Sequence, residues 1–390
     1  MHTTRILERN SLLPPFMHYL LGILFLLIAA NTSCIMVHAL QTIPATSPLV
    51  QRMGRTFLGK TTGSVEFEWL GGGFRLAHTG STLWATPSPT NHAFKMSFAQ
   101  ANENFFPPQG AVWVTPATAN ASFIVASGAG TVRVTLNVPP QYWADGKTYA
   151  GVVSFTTDGE FISPPPLSRT IHFLGDSITA ATNIHGLGLV ACADGGYEAD
   201  YLASWAGLIC TALDANCSTI AVGGRGLVKN CCGLGSPYMP DYYRLDRYTD
   251  PRSATDFSSQ PIPDAYVIYL GTNDYSSGAS AELDALFTQG YIALMYNVTR
   301  VWFGTPGHPA NITFFATLGP MSPALPAKAT VAAIERARGM GYRISLINAT
   351  TACGITLTGC SDGCASHPGV IGHRSLADIA LPIIKNSLGW

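Results

Sequence analysis

The chain has 390 residues, long enough for two domains, and 47% of them are hydrophobic and 10% aromatic, so it can fill packed cores and is not a disordered polymer. Its 22 basic and 23 acidic residues nearly cancel, and charged residues make up only 12%, which leaves no electrostatic footprint for nucleic acid.

In chain order, Arg5 and Arg9 precede an apolar run at residues 19–30, and Val37-His38-Ala39 then offers small residues at the spacing signal peptidase uses. The run falls short of the ~20 apolar residues a spanning helix needs. Residues 1–39 are therefore expected to be a secretory signal, giving a secreted protein with no stable membrane insertion; retention as an anchor is the alternative. Removing Cys34 with the signal leaves eight cysteines, at 192, 210, 217, 231, 232, 353, 360 and 364. An even number in a secreted chain predicts disulfides whose pairing stays open, and no matched C-x-x-C arms suggest a zinc site. Asn-x-Ser/Thr acceptors at Asn120, Asn216, Asn297, Asn311 and Asn348 fit a glycoprotein.

From residue 50 to 160, short alternating runs recur at 65–70, 73–78, 94–98, 111–115, 122–126, 131–138 and 152–156, separated by Gly, Pro, Asn and Ser. This spacing predicts a β-sandwich or jelly roll. Trp69, Trp84, Trp113 and Trp143 are expected in its core, a sugar-stacking surface being the alternative. Residues 161–168, with Pro164-Pro165-Pro166, form the expected linker.

Residues 169–390 have another texture. Strand-like runs at 171–174, 219–222, 265–270, 312–318 and 344–347 alternate with helical patterns near 197–213, 281–302, 329–340 and 371–388. Such alternation predicts an α/β domain, a parallel sheet covered on both faces with its chemistry at the carboxyl ends of the strands.

Candidate residues fall at those ends. Ser177 follows the first strand in Gly175-Asp176-Ser177, where a hydroxyl stands proud of the sheet beside backbone N–H groups; its alternative role is a helix cap. Gly224 follows the second strand, where an N–H without a neighbouring Cβ can approach an oxyanion, and Asn273 follows the third with an amide able to donate to the same oxygen. His367, in the breaker-rich loop before the last helix, is the expected base for the serine. His373 is expected to cap or pack, and His172 to be buried.

The blocks GDSIT at 175–179, Gly223-Gly224, GTND at 271–274 and His367-Pro368, in that order, resemble those of SGNH (GDSL-type) hydrolases. The resemblance implies a flavodoxin-like three-layer α/β/α fold. It also implies Ser177 as nucleophile, His367 as base, and an oxyanion hole from the N–H groups of Ser177 and Gly224 with the Asn273 side chain. Metal and organic cofactor are not required. The front half, with Phe67-Glu68-Trp69-Leu70-Gly71 leading through Asp158-Gly159 and prolines to GDSIT, is similar to carbohydrate esterase family 2, in which a jelly roll precedes the SGNH domain. This implies removal of acetyl groups from an acetylated polysaccharide or oligosaccharide of the xylan or glucomannan type. Many SGNH enzymes carry an aspartate three residues before the histidine, where this chain has Cys364; either a backbone carbonyl orients His367 or Asp362 reaches it. Ser366 stands where that family often has an aromatic residue. Two other functions fit the sequence: a short-chain lipase or thioesterase on the same scaffold, and an inactive glycan-binding glycoprotein.

Overall fold

The computed structural model describes residues 39–59, 63–90, 93–100, 110–137, 149–185, 200–304, 312–321, 325–352, 363 and 367–390. The expected signal segment before Ala39, together with Trp143, Asn311, Asp362, Ser366, Cys192, Cys353, Cys360 and Cys364, lies outside the described residues.

β-branched and aromatic runs broken by Gly, Pro and Asn build the first half, because such side chains fit a half-buried pleated surface and the breakers turn the chain. One sheet runs in the order Phe57–Leu58 (β3), Val65–Phe67 (β4), Ala150–Thr157 (β11), Thr82–Pro87 (β6) and Phe123–Ser127 (β9), with Gln41–Pro44 (β1) also on β11. The other runs Phe161–Ile162 (β12), Gly73–His78 (β5), Gly130–Asn137 (β10), Phe94–Gln100 (β7) and Gly110–Val114 (β8), with Gln51–Met53 (β2) on β5. The pairings are antiparallel; Phe74 faces Val134 and Leu76 faces Val132 between β5 and β10. Side chains from both sheets share one apolar cluster, in which Phe74 meets Phe67 and Phe155 edge-on at 5.2 and 5.3 Å. Each of the seven expected runs contains a strand, although that at 65–70 is a strand only over Val65–Phe67. The strands not anticipated are mostly two to four residues long, too short to show a period of two, and β6, which alternates half-buried and buried but ends on Pro87.

Among the described residues the second half holds five parallel strands, Thr170–Gly175 (β13), Asn216–Ala221 (β14), Ala265–Tyr269 (β15), Thr313–Leu318 (β16) and Arg343–Asn348 (β17), in the order β14-β13-β15-β16-β17. The helices are Trp205–Ala212 (α1), Met239–Tyr242 (α2), Ala281–Phe303 (α3), Ala327–Gly339 (α4) and Val370–Leu388 (α5). Every residue of β13, β15 and β16 is buried, as befits strands covered on both faces. Alternate strand residues divide between two clusters: Ile171 and Phe173 join residues of α1 and α5, while Leu174, Tyr266 and Ile268 join residues of α3 and α4. The pattern expected from residue 197 resolves into a 3-10 turn at Tyr201–Ala203 followed by the shorter α1. Asp200 and Ser204 each cap a new start there, their side chains accepting from the N–H groups of Leu202 and Gly207.

The two halves are tied through buried polar side chains. The carbonyl of Leu245 accepts from Trp69 Nε1 at 2.8 Å and Arg55 Nη1 at 2.9 Å, Arg133 Nη2 donates to Ala215 O at 2.7 Å, and Arg75 donates to the carbonyl of Pro165. Trp69, placed by sequence in the β core, packs instead with Tyr242 and Tyr248 in the core of the parallel-sheet half. Residues 40–390 accordingly form one compact unit. Among the described residues no helix is long and apolar enough to cross a membrane.

Candidate active site

In a doubly wound sheet with this strand order, the crevice lies where the chain switches direction, between β13 and β15 at their carboxyl ends. The register sets three chain segments at one level there: Gly175 pairs with Ala221 on one side and Tyr269 on the other. Ser177, Gly224 and Asn273 follow these three partners by two to four residues.

The segment after Gly175 is a run of turns, with Ala180 N–H donating to Asp176 O at 2.9 Å and Thr182 N–H to Ser177 O at 3.0 Å. Ala181 and Asn183, at φ 57° and 64°, prevent it from continuing as a regular helix. The cap on this segment is Asp176, whose Oδ1 accepts from Ile178 N–H at 3.0 Å, not Ser177. Ser177 is 8% exposed.

Gly224 sits at φ 74°, a left-handed corner that a residue with a Cβ adopts only under strain. Its carbonyl accepts from Cys231 N–H at 3.0 Å. Asn273 Nδ2 donates to the carbonyl of the next residue, Arg225, at 2.8 Å, so the two expected oxyanion donors are brought side by side. One amide hydrogen of Asn273 serves that bond and the second is left for another acceptor.

Asp274 escaped the sequence reading. Its fully buried carboxylate accepts from three consecutive backbone N–H groups, Leu227 at 3.0 Å, Val228 at 2.7 Å and Lys229 at 3.0 Å, and so clamps the Gly224 loop to the end of β15. Asn230 closes the same loop, accepting from Gly226 N–H and donating to the carbonyls of Gly235 and Pro237.

His367 is half-buried, two residues before Gly369, the N-cap of α5. Gly363 itself is buried against the segment that follows Ser177: a Cβ on Gly363 would lie 2.7 Å from His367 O and 2.8 Å from Asn183 O. His373 is fully buried, and its Nδ1 accepts from the Trp205 N–H at the start of α1, which puts the neutral proton on Nε2. Burial, with His367 and His185 adding, pushes His373 down to about 3. His172 is buried, with Nδ1 3.1 Å from the Tyr266 hydroxyl. Asp362, the candidate orienter of His367, lies outside the described residues. Among the described residues no group of His, Cys, Asp and Glu is arranged to hold a metal ion.

Burial pushes the Asp176 carboxyl up from 3.8 to about 7, and the negative Asp274 adds to it, against the Ile178 N–H and the Thr272 side chain. The folded form thus holds a proton that the unfolded form releases. The resulting stabilisation is complete below pH 3.8 and is lost as pH rises through about 7. Asp176→Asn keeps the acceptor for Ile178 and removes the titration. Urea midpoints measured between about pH 4 and 8 should fall less steeply for the variant than for the parent, and equal slopes would refute the assignment.

No protein-family model matches the chain. CelE, a cellulase/esterase of Acetivibrio thermocellus, is 30% identical over 235 residues, 58% of this chain and 27% of CelE, so the chain spans about a quarter of that relative. An acetylxylan esterase / glucomannan deacetylase of Cellvibrio japonicus is 26% identical over 257 residues, 65% of this chain and 69% of the relative. Among solved structures, an acetyl xylan esterase of Butyrivibrio proteoclasticus matches with a TM-score of 0.73 at 20% identity, over 90% of this chain and 99% of that one. A family two carbohydrate esterase from Clostridium thermocellum, solved with a cellohexaose-type ligand as an active-site mutant, matches with 0.70 at 23% identity, over 88% of this chain and 100% of that one. In sequence and in fold, the chain resembles the family 2 carbohydrate esterases.

Proposed function

We propose that this protein is a secreted carbohydrate O-acetyl esterase that frees acetate from a hemicellulose-type polysaccharide such as acetylated xylan or glucomannan. Its architecture in this reading is a jelly-roll domain joined by the proline segment to a flavodoxin-like, three-layer SGNH domain. The observation that supports it best is the Asn273–Arg225 bond, which holds one side-chain donor against the Gly224 corner at the switch point of the sheet. The similarity to acetylxylan esterase / glucomannan deacetylase points to the same substrate class.

Ser177 Oγ attacks the acetyl carbonyl while His367 accepts its proton, and the oxyanion rests on the N–H groups of Ser177 and Gly224 and the free amide hydrogen of Asn273. His367 then gives that proton to the departing sugar oxygen, which leaves as the hydroxyl, and a water that it activates releases acetate from the acyl-serine. Asp362 or a backbone carbonyl orients the imidazole.

Acetate release from acetylated xylan and glucomannan, set against hydrolysis of 4-nitrophenyl esters of rising chain length, tests the reading. Sugar acetates should be the better substrates, and a preference for long acyl chains would favour a lipase. Asn273→Ala removes one oxyanion donor and unties Arg225 O, so kcat on 4-nitrophenyl acetate should fall about 10²–10³-fold. A kcat within threefold of the parent, about 0.6 kcal/mol, would remove Asn273 from the oxyanion site.

A further inference from the structure

We propose that Cys231 and Cys232 form a redox-modified pair that closes to a vicinal disulfide and stiffens the loop carrying Gly224; the kinetic consequence rests on the esterase reading above. The two Sγ atoms lie 2.7 Å apart, inside the about 3.5–4 Å of ordinary non-bonded contact between heavy atoms. Cys232 is held at φ 58°, a conformation a non-glycine residue rarely adopts without a local reason. The other described cysteines, Cys210 and Cys217, are bonded to each other, so neither offers a partner. Cys232 is exposed and Cys231 half-buried, which leaves the pair open to a small disulfide reagent.

The location gives the pair a consequence. Cys231 N–H donates to Gly224 O at 3.0 Å, and its Sγ lies 3.4 Å from where a Cβ on Gly224 would stand. The neighbouring Leu234 N–H bonds back to Cys231 O at 3.0 Å, so a ring through residues 231 and 232 would fix the peptide that braces the oxyanion corner. Burial and the adjacent Cys232 push the Cys231 thiol up to about 11, which makes the exposed Cys232 the first to react.

The step needs an oxidant of the low-molecular-weight disulfide class, such as glutathione disulfide. The Cys232 thiolate attacks one of its sulfurs and expels one glutathione thiolate, which takes up the proton released by Cys231. The Cys231 thiolate then attacks the Cys232 sulfur of the mixed disulfide and expels the second glutathione thiolate, which takes up the proton that Cys232 had released on ionising. Two cysteines are oxidised to one disulfide, and one glutathione disulfide is reduced to two thiols.

The test uses the full chain equilibrated with glutathione disulfide, alkylated with iodoacetamide and cleaved with trypsin. The peptide of residues 230–244 should be unalkylated and about 2 Da lighter than the dithiol, and doubly alkylated after phosphine reduction. Reduction should lower kcat on 4-nitrophenyl acetate about tenfold with little change in KM, less than the ~10²–10³ lost with an oxyanion donor. Cys232→Ser should show the lower kcat at once and respond to neither oxidant nor reductant. Free alkylation of both residues after oxidation, or linkage of either to another cysteine, would overturn the proposal. So would an unchanged kcat on reduction, or a fall shared by Cys232→Ser, which would trace to Cys210–Cys217. If the esterase reading itself fails, hydrolysis will persist in Ser177→Ala, and the mass of the peptide still decides whether the ring forms.

Discussion

Ser177→Ala should lower kcat/KM for 4-nitrophenyl acetate and for acetylated xylan by about 10⁴-fold or more, with the melting temperature close to that of the parent. The size follows from covalent catalysis: without the nucleophile, the oxyanion donors and the bound water supply only a residual rate, and losses near ~10⁶ are known when a serine of this kind is removed. The stability half follows from the local structure. The turn after β13 is held by backbone bonds, Ala180 to Asp176 and Thr182 to Ser177, and by the Asp176 cap on Ile178, all of which survive loss of a hydroxyl. Melting curves beside initial rates separate a chemical defect from misfolding. A variant that folds like the parent and hydrolyses the ester within tenfold of it would remove Ser177 from the chemistry.

The part of this molecule that was legible in sequence is the part written locally. Buried parallel strands appear as short apolar runs, so the runs at 171–174, 265–270 and 312–318 coincide with β13, β15 and β16, and Ser177, Gly224 and Asn273 could be placed at the ends of strands. The helices at 281–302 and 371–388 match α3 and α5 to within a residue, since Ser280 caps the first and Gly304 and Gly389 stop the two in left-handed corners. What was not legible depends on partners distant in sequence. Glu68 and Trp69 look like strand residues of the β half. They instead reach Thr249 and Leu245, about 180 positions away, because a side chain's neighbours across a joint leave no periodic trace. Asp274 reads as one more turn former in Gly271-Thr272-Asn273-Asp274, and only the fold sets its carboxylate against the N–H groups of residues 227–229. The side of Asn273 that meets Arg225 is equally silent in the sequence.

Asp274→Ala should be the most destabilising change at the site, about 3–5 kcal/mol, and should also lower kcat about 10²-fold. The carboxylate is fully buried and accepts three N–H bonds, each of which becomes an unsatisfied buried donor at roughly 1–3 kcal/mol unless water enters the space left behind. The catalytic loss comes by another route. Leu227, Val228 and Lys229 continue directly from Gly224 and Arg225, so slack in the clamp displaces the Gly224 N–H, and a shift of about 1 Å in a catalytic group is enough for a hundredfold change. Asp274→Asn separates the two effects. Its Oδ1 still accepts from Val228 and Lys229, while its amide nitrogen meets the Leu227 N–H donor to donor. That variant should therefore fall between the parent and Asp274→Ala both in guanidinium midpoint and in kcat. Equal midpoints for the parent and Asp274→Ala would mean that the loop holds its shape without the carboxylate, and the bracing of the oxyanion corner would then have to be sought in Asn230 and Cys231 instead.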